Sequence, residues 1–174
     1  MIDAENKQPA LFLPEKCDVS KDEESLLSPA DGLRDTEMEF VEKTFAANDE
    51  SLHNAIAFVE EKLEQNDASM KAIMAITVSL EEMFVNVAHY AYPDSEGEVK
   101  VGISFEDDDV TITLTDEGIP FDPLAKEDPD VHASAQERNI GGLGIYIVKK
   151  SMDYCSYQRK ENKNIFVMRR NIRQ

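Results

Sequence analysis

Three short stretches of the 174-residue chain hold residue types that could handle phosphate: EEMFVNVAHYAYP (81–93), DEGIPFDP (116–123) and GGLGIYIVKK (141–150). In the first, Glu82 and Asn86 are four apart. At about 100° per residue they differ by about 40° around a helix axis and share a face, whereas Glu81 lies about 140° from Asn86. A carboxylate and a carboxamide on one face of an otherwise apolar helix are costly to bury without partners. A magnesium triphosphate would use both: Asn86 offers a neutral hard oxygen to Mg2+, and Glu82 can take a proton from an attacking hydroxyl or water. Taken alone, Glu-x-x-x-Asn is common, and a solvent-facing pair at a helix border explains it better.

In the second stretch, Asp116 follows directly on strand-like sequence ending at Leu114-Thr115. An acidic residue there could accept the exocyclic amine of adenine, and Gly118 would let a flat base approach the backbone with no Cβ in the way. An ordinary tight turn uses the same Asp, Gly and Pro. The third stretch is a glycine cluster, Gly141, Gly142 and Gly144 around Leu143, opening a helix whose free N–H groups and positive dipole end attract phosphate. It lacks the Gly-Lys-Ser/Thr of a Walker A loop, and Ile147 stands where GxGxxG needs its third glycine. The glycines could equally form a hinge. Leu143, Ile145, Ile147 and Val148 are core in either case, and Lys149 and Lys150 read as solvated helix-end charges.

These stretches need elements to hold them. Glu37 to Phe45 reads as a strand. Asn48 or Asp49 then caps a helix with Leu52, Ile56, Val59 and Leu63 on one face. Asn66-Asp67 breaks it, and Ser69 caps a second, central helix from Met70 to about Tyr90 that carries Glu82 and Asn86 and stops before Pro93-Asp94. Val99, Val101, Ile103 and Phe105, a turn at Asp107-Asp108-Asp109, and then Val110, Ile112 and Leu114 give an antiparallel hairpin. Residues 119–140 show no period and form a loop longer than packing alone favours. A helix over 143–152 and strands at 154–159 and 164–170, joined by a turn at 160–163, complete the chain. The order β, α, α, β, β, loop, α, β, β lacks regular βα alternation. It predicts an α/β (α+β) two-layer sandwich, with a mixed, mostly antiparallel sheet carrying helices on one face.

Composition bounds the partners. A length of 174 residues suits one domain plus an appendage. Residues 1–37 carry ten acidic against four basic residues and only LFLP (11–14) as an apolar spot, the composition of a poorly ordered extension; residues 38–174 are expected to be the folded domain. Leu11, Phe12 and Leu13 could dock on the domain or on a partner, although an inert solvated tail explains the composition better. A formal net charge of −18 and a pI near 4.4 argue against nucleic acid and anionic membranes and for a protein partner. No run approaches the roughly 18 apolar residues of a membrane helix, and no basic-then-apolar leader opens the chain, so a cytoplasmic location is expected. Cys17 and Cys155 have no CxxC or His-rich neighbours and read as ordinary thiols.

In order and spacing, the three stretches resemble the N, G1 and G2 boxes of the GHKL ATPase superfamily, and most closely its stand-alone anti-sigma-factor serine kinase branch. Features shared with that branch are Glu82-x-x-x-Asn86 running into Ala91-Tyr92-Pro93, the Asp-x-Gly-x-x-Phe-Asp box at 116–122, and Gly-Leu-Gly-Ile at 142–145. The likeness covers 38–172. It implies a GHKL ATPase fold, ATP and Mg2+ as ligands, and Glu82 as general base. It makes Asn86 the Mg2+ ligand, and Asp116 with Gly118 the adenine-reading pair. Gly141, Gly142, Leu143 and Gly144 line the phosphate side, and 123–140 form a lid whose only arginine, Arg138, would reach the terminal phosphate. The place four after the box asparagine, often His in this branch, is Tyr90, with His89 displaced by one.

The resemblance implies a homodimeric protein-serine kinase that phosphorylates a STAS-type anti-anti-sigma partner and sequesters a sigma factor. The alternative is a binding module in which nucleotide orders the lid and gates association without useful turnover. A histidine-kinase catalytic domain fits less well, since no dimerisation and phosphoacceptor helices precede Met38.

Overall fold

A computed structural model describes residues 40–125 and 143–174. The expected extension, its boundary at 37 and 38, Cys17, most of the expected lid, Arg138, Gly141 and Gly142 lie outside the described residues. The elements run β1 (Val41–Ala46), α1 (Asp49–Gln65), α2 (Met70–Tyr90), β2 (Glu98–Glu106), β3 (Asp109–Asp116), α3 (Leu143–Ser151), β4 (Tyr154–Lys160) and β5 (Lys163–Asn171), in the order expected. Among the described residues the strands form one five-stranded sheet ordered β1-β2-β3-β5-β4. Its pairings are all antiparallel, the limiting case of the expected mostly antiparallel sheet.

Local chemistry sets the helix ends. The Asn48 side chain accepts from Ser51 N at 3.0 Å, and Asp49 and Glu50 face the positive end of α1. Ser69 Oγ accepts from Ala72 N at 3.2 Å to open α2, which closes at Ala91, two residues before Pro93. Two turns differ from expectation by a residue or more. Asp109 belongs to β3 and pairs with Glu106, so the hairpin turn is Asp107-Asp108, with Asp107 at φ 52°. Similarly, Lys160 pairs with Lys163, leaving Glu161 (φ 51°) and Asn162 (φ 64°), the signature of a type I′ turn.

Strand alternation puts Phe45, Val99, Val101, Ile103, Val110, Ile112, Leu114, Phe166 and Met168 into one core with Val59, Leu63, Ile76, Leu80, Phe84 and Val148 from the helices. On α1, Ala55 is fully buried and the expected Leu52 and Ile56 are half-buried at its margin. By length and composition alone α2 is apolar enough to cross a membrane, which corrects the reading that no segment approaches this; here one face of the helix, with Ile76, Leu80, Met83 and Phe84, is buried in the core, while Met70, Met74 and Val78 are exposed. Cys155 is half-buried, and burial pushes its thiol up to about 11, so it holds little thiolate at neutral pH, as expected of an ordinary thiol.

Candidate functional site

The C-terminal half of α2 and the C-terminal end of β3 meet at a cleft. Leu114 and Phe166 line it from the sheet, Met83 and Val87 from α2, and Ile119 and Phe121 from the segment after β3. Mostly apolar walls with a few placed polar groups are what a flat heteroaromatic ligand requires. The polar groups are Asn86, Asp116, Tyr157 and Asn164, with Tyr90, 62% exposed, also on the lining.

Asp116 is 6% exposed. Its Oδ1 accepts from Gly118 N at 2.9 Å and from Asn164 Nδ2 at 2.8 Å. Burial raises its pKa above the ordinary 3.8, opposed first by the Asn164 bond, then by the Gly118 N–H and then by the charge of Arg159. The adjoining backbone is anchored to the end of α2, where Ile119 N donates to Ala91 O at 2.9 Å. Gly118 does not line the cleft: its Cα faces Ala91 so closely that an added Cβ would overlap the Ala91 carbonyl and methyl. The missing Cβ is used for docking loop against helix. Tyr92 ties the same corner from the other side, its hydroxyl donating to Glu98 O at 2.8 Å and accepting from Glu117 N at 2.9 Å.

Asn86 donates Nδ2 to the backbone carbonyl of Glu82 at 2.7 Å. That bond commits the donor end of the amide to the helix and leaves Oδ1, the only atom a cation could use, as the available acceptor. The Glu82 side chain does not line the cleft. It is half-buried against the first turn of α3, where a Cβ on Gly144 would overlap its carboxylate. Leu143, expected in the core, is instead 52% exposed, because it stands at the first position of α3, before the helix turns its Ile145–Val148 face inward. The structure thus brings Asn86 and Asp116 to one cleft and Glu82 and Gly144 to one contact; both pairs are joined through α2. Among the described residues no group of three or more His, Cys, Asp or Glu could cage a metal. Asn86 fits a magnesium ion held chiefly by phosphate oxygens and water, to which a protein adds one or two ligands.

His89 turns away from this site, Nε2 lying 2.8 Å from Asp49 Oδ1 at the start of α1. Lys150 packs over the Tyr146 ring, 5.2 Å from its centroid.

Residues 45–170 match the histidine kinase-like ATPase domain. The chain belongs to that family. Among curated relatives, the histidine kinase-like ATPase chain is similar to the serine-protein kinase RsbW of Oceanobacillus iheyensis, 28% identical over 90 residues, 49% of this chain and 57% of that protein. It is also similar to the anti-sigma F factor of Clostridium acetobutylicum, 23% identical over 123 residues, 71% of this chain and 86% of that one. The match thus spans little more than half of the first relative. A solved Mycobacterium tuberculosis structure with RsbU and RsbW domains shares the fold, with a TM-score of 0.57 at 14% identity over 77% of this chain and 32% of that one.

Sequence reasoning missed Tyr157, Arg159 and Asn164. Asn164 does interrupt the inward row that continues with Phe166 and Met168, a polar residue where alternation calls for an apolar one. That was the available signal.

Proposed function

We propose that this domain binds ATP with Mg2+ and transfers the γ-phosphate to a serine of a small STAS-type anti-anti-sigma protein. When that partner is absent, it sequesters a sigma factor as a homodimer. The observation that carries this reading is the pairing, at one cleft, of an anchored Asn86 whose Oδ1 stays available with a buried Asp116. The serine-kinase and anti-sigma names of the relatives point the same way.

In this reading Asp116 accepts the 6-amino group of adenine and Asn86 contributes one oxygen to the magnesium, whose charge offsets that of the phosphates. Glu82 takes the proton of the incoming serine hydroxyl, and its contact with Gly144 holds the base beside the helix end toward which the phosphates lie. Gly141, Gly142 and Arg138 would complete the phosphate side.

Calorimetry of ATP·Mg2+ binding to the wild type, Asn86→Ala and Asp116→Ala is the test, followed by radiolabelled transfer to a STAS-type protein. Micromolar or tighter binding lost in both variants, with transfer abolished in Glu82→Ala while ATP still binds, is the expected result. ATP binding without phosphorylation of any STAS-type partner would favour a nucleotide-gated binding module. No binding by the wild type would end the kinase reading.

A further inference from the structure

Asp116, Asn164 and Arg159 occupy consecutive places in a single row across three strands: Asp116 of β3 faces Asn164 of β5, which faces Arg159 of β4. Their side chains form one hydrogen-bonded chain on the helix side of the sheet. Asn164, 6% exposed, donates Nδ2 to Asp116 Oδ1 at 2.8 Å and to Ile119 O at 3.0 Å. Its Oδ1 accepts from Tyr157 Oη at 2.8 Å and from Arg159 Nη1 at 2.8 Å. The amide's donors and lone pairs are therefore all used. Arg159 Nη1 also donates to Gly118 O at 2.8 Å, tying the same guanidinium to the backbone beside Asp116.

This network decides which way the amide faces. A guanidinium can only donate, so a flipped Asn164 would set its NH2 against Arg159 and its oxygen against the Asp116 carboxylate. Held as it is, Asn164 always presents N–H to Asp116, which favours the ionised, purely accepting carboxylate in a place where burial disfavours charge. A protonated Asp116 would carry a donor as well as an acceptor and would not distinguish an amino group from a carbonyl.

We propose that Asn164, fixed by Arg159 and Tyr157, is the positioning residue that keeps Asp116 an oriented hydrogen-bond acceptor, so that the cleft's preference for a 6-aminopurine over a 6-oxopurine depends on it. The inference rests on the nucleotide reading of the cleft. Arg159 and Tyr157 of β4 face this group, Tyr92 follows α2, and Glu117 pairs with Lys163 at 3.6 Å beside it. Asp122 in the loop after β3 acts on Tyr157. ATP affinity should therefore weaken as pH falls through the pKa of Asp116. Removing the Asn164 donor raises that pKa further and moves the weakening to higher pH.

The test is calorimetric binding of ATP and of inosine triphosphate, each with Mg2+, from pH 4 to 8, on the full chain. Asn164→Leu should lose about tenfold or more in ATP affinity and little in inosine triphosphate affinity, collapsing the selectivity, because a site built around a hydrogen bond discriminates only while its acceptor is in place. Its pH midpoint for ATP should rise. Because Leu at a buried hub can disturb folding, Arg159→Gln and Arg159→Lys are measured beside it. Gln, which can accept as well as donate, should reproduce part of both effects, and Lys, which can only donate, should largely restore the wild type. Equal loss for both nucleotides with an unmoved pH midpoint would show that Asn164 only supports the fold and would overturn the proposal. ATP binding abolished by Asp116→Asn but untouched in selectivity and pH midpoint by Asn164→Leu and Arg159→Gln would refute this inference alone. Absence of ATP binding in the wild type would remove the nucleotide reading, and this inference with it.

Discussion

Gly144 and Glu82 touch: the Cα that opens the second residue of α3 lies against the Glu82 carboxylate so closely that no side chain fits between them. The atom an added Cβ would meet is the far end of a flexible side chain rather than backbone. Gly144→Ala should therefore leave the fold nearly intact, with thermal unfolding shifted by only a few degrees, while Glu82 swings aside. If Glu82 is the base, phosphoryl transfer should fall by about 100-fold for a displacement on the order of 1 Å, with ATP affinity changed far less. Transfer at the wild-type rate would show that the contact does not position the reacting carboxylate.

Gly118 presents the opposite case, because its neighbour is the Ala91 backbone, already bonded to Ile119 N at 2.9 Å. Ala at 118 cannot be accommodated without moving the loop or the end of α2, and should cost about 1–3 kcal/mol in urea unfolding. A change under a few tenths would mean that the loop relaxes freely.

Asn86→Ala removes the bond to the Glu82 carbonyl and, in the proposed function, the oxygen that a magnesium ion would use. The helix carbonyl still accepts its own backbone partner, so circular dichroism should be unchanged. ATP·Mg2+ affinity should drop by about tenfold to 100-fold, the worth of a hydrogen bond or ligand to a charged group. The drop should be much smaller when ATP is titrated without Mg2+, and an equal loss in both conditions would remove Asn86 as a metal ligand.

For Asp116 the folded pKa is raised above its ordinary value of 3.8, chiefly by burial. Below that value the group is protonated in folded and unfolded chains alike and costs nothing; as pH rises through the raised folded pKa, ionising it in the core opposes folding. Asp116→Asn keeps an oxygen for Gly118 N and Asn164 Nδ2 and removes the charge. The variant should match or exceed the wild type in urea stability at pH 7, with the difference shrinking toward pH 4, and should nonetheless lose ATP binding. A variant less stable at pH 7 than at pH 4, relative to wild type, would contradict this balance.

Much of the fold was legible in the sequence because its signals are local. Ser69, the apolar circumference that follows it and Pro93 bound α2 as the structure does, since capping and proline sterics act within a few residues. The turns moved by a residue because strand ends depend on cross-strand partners, as Glu106 with Asp109 shows. In the candidate site, Asn86 and Asp116 reach the cleft through helix and strand periods that can be counted. Gly118, expected to admit a base, instead docks on Ala91, a contact with a distant helix end that no local pattern contains.

The sequence by itself determined the elements, their order and the faces that Glu82, Asn86 and Asp116 occupy, because 3.6- and 2-residue periods are properties of adjacent residues. Only the tertiary structure decided which of these residues meet. Asn164 reaches Asp116 across 48 positions because antiparallel register sets β5 beside β3, and Arg159 joins them through the turn that sets β4 beside β5. Register is chosen by burial of whole strands against one core, so it exists only once the sheet is assembled.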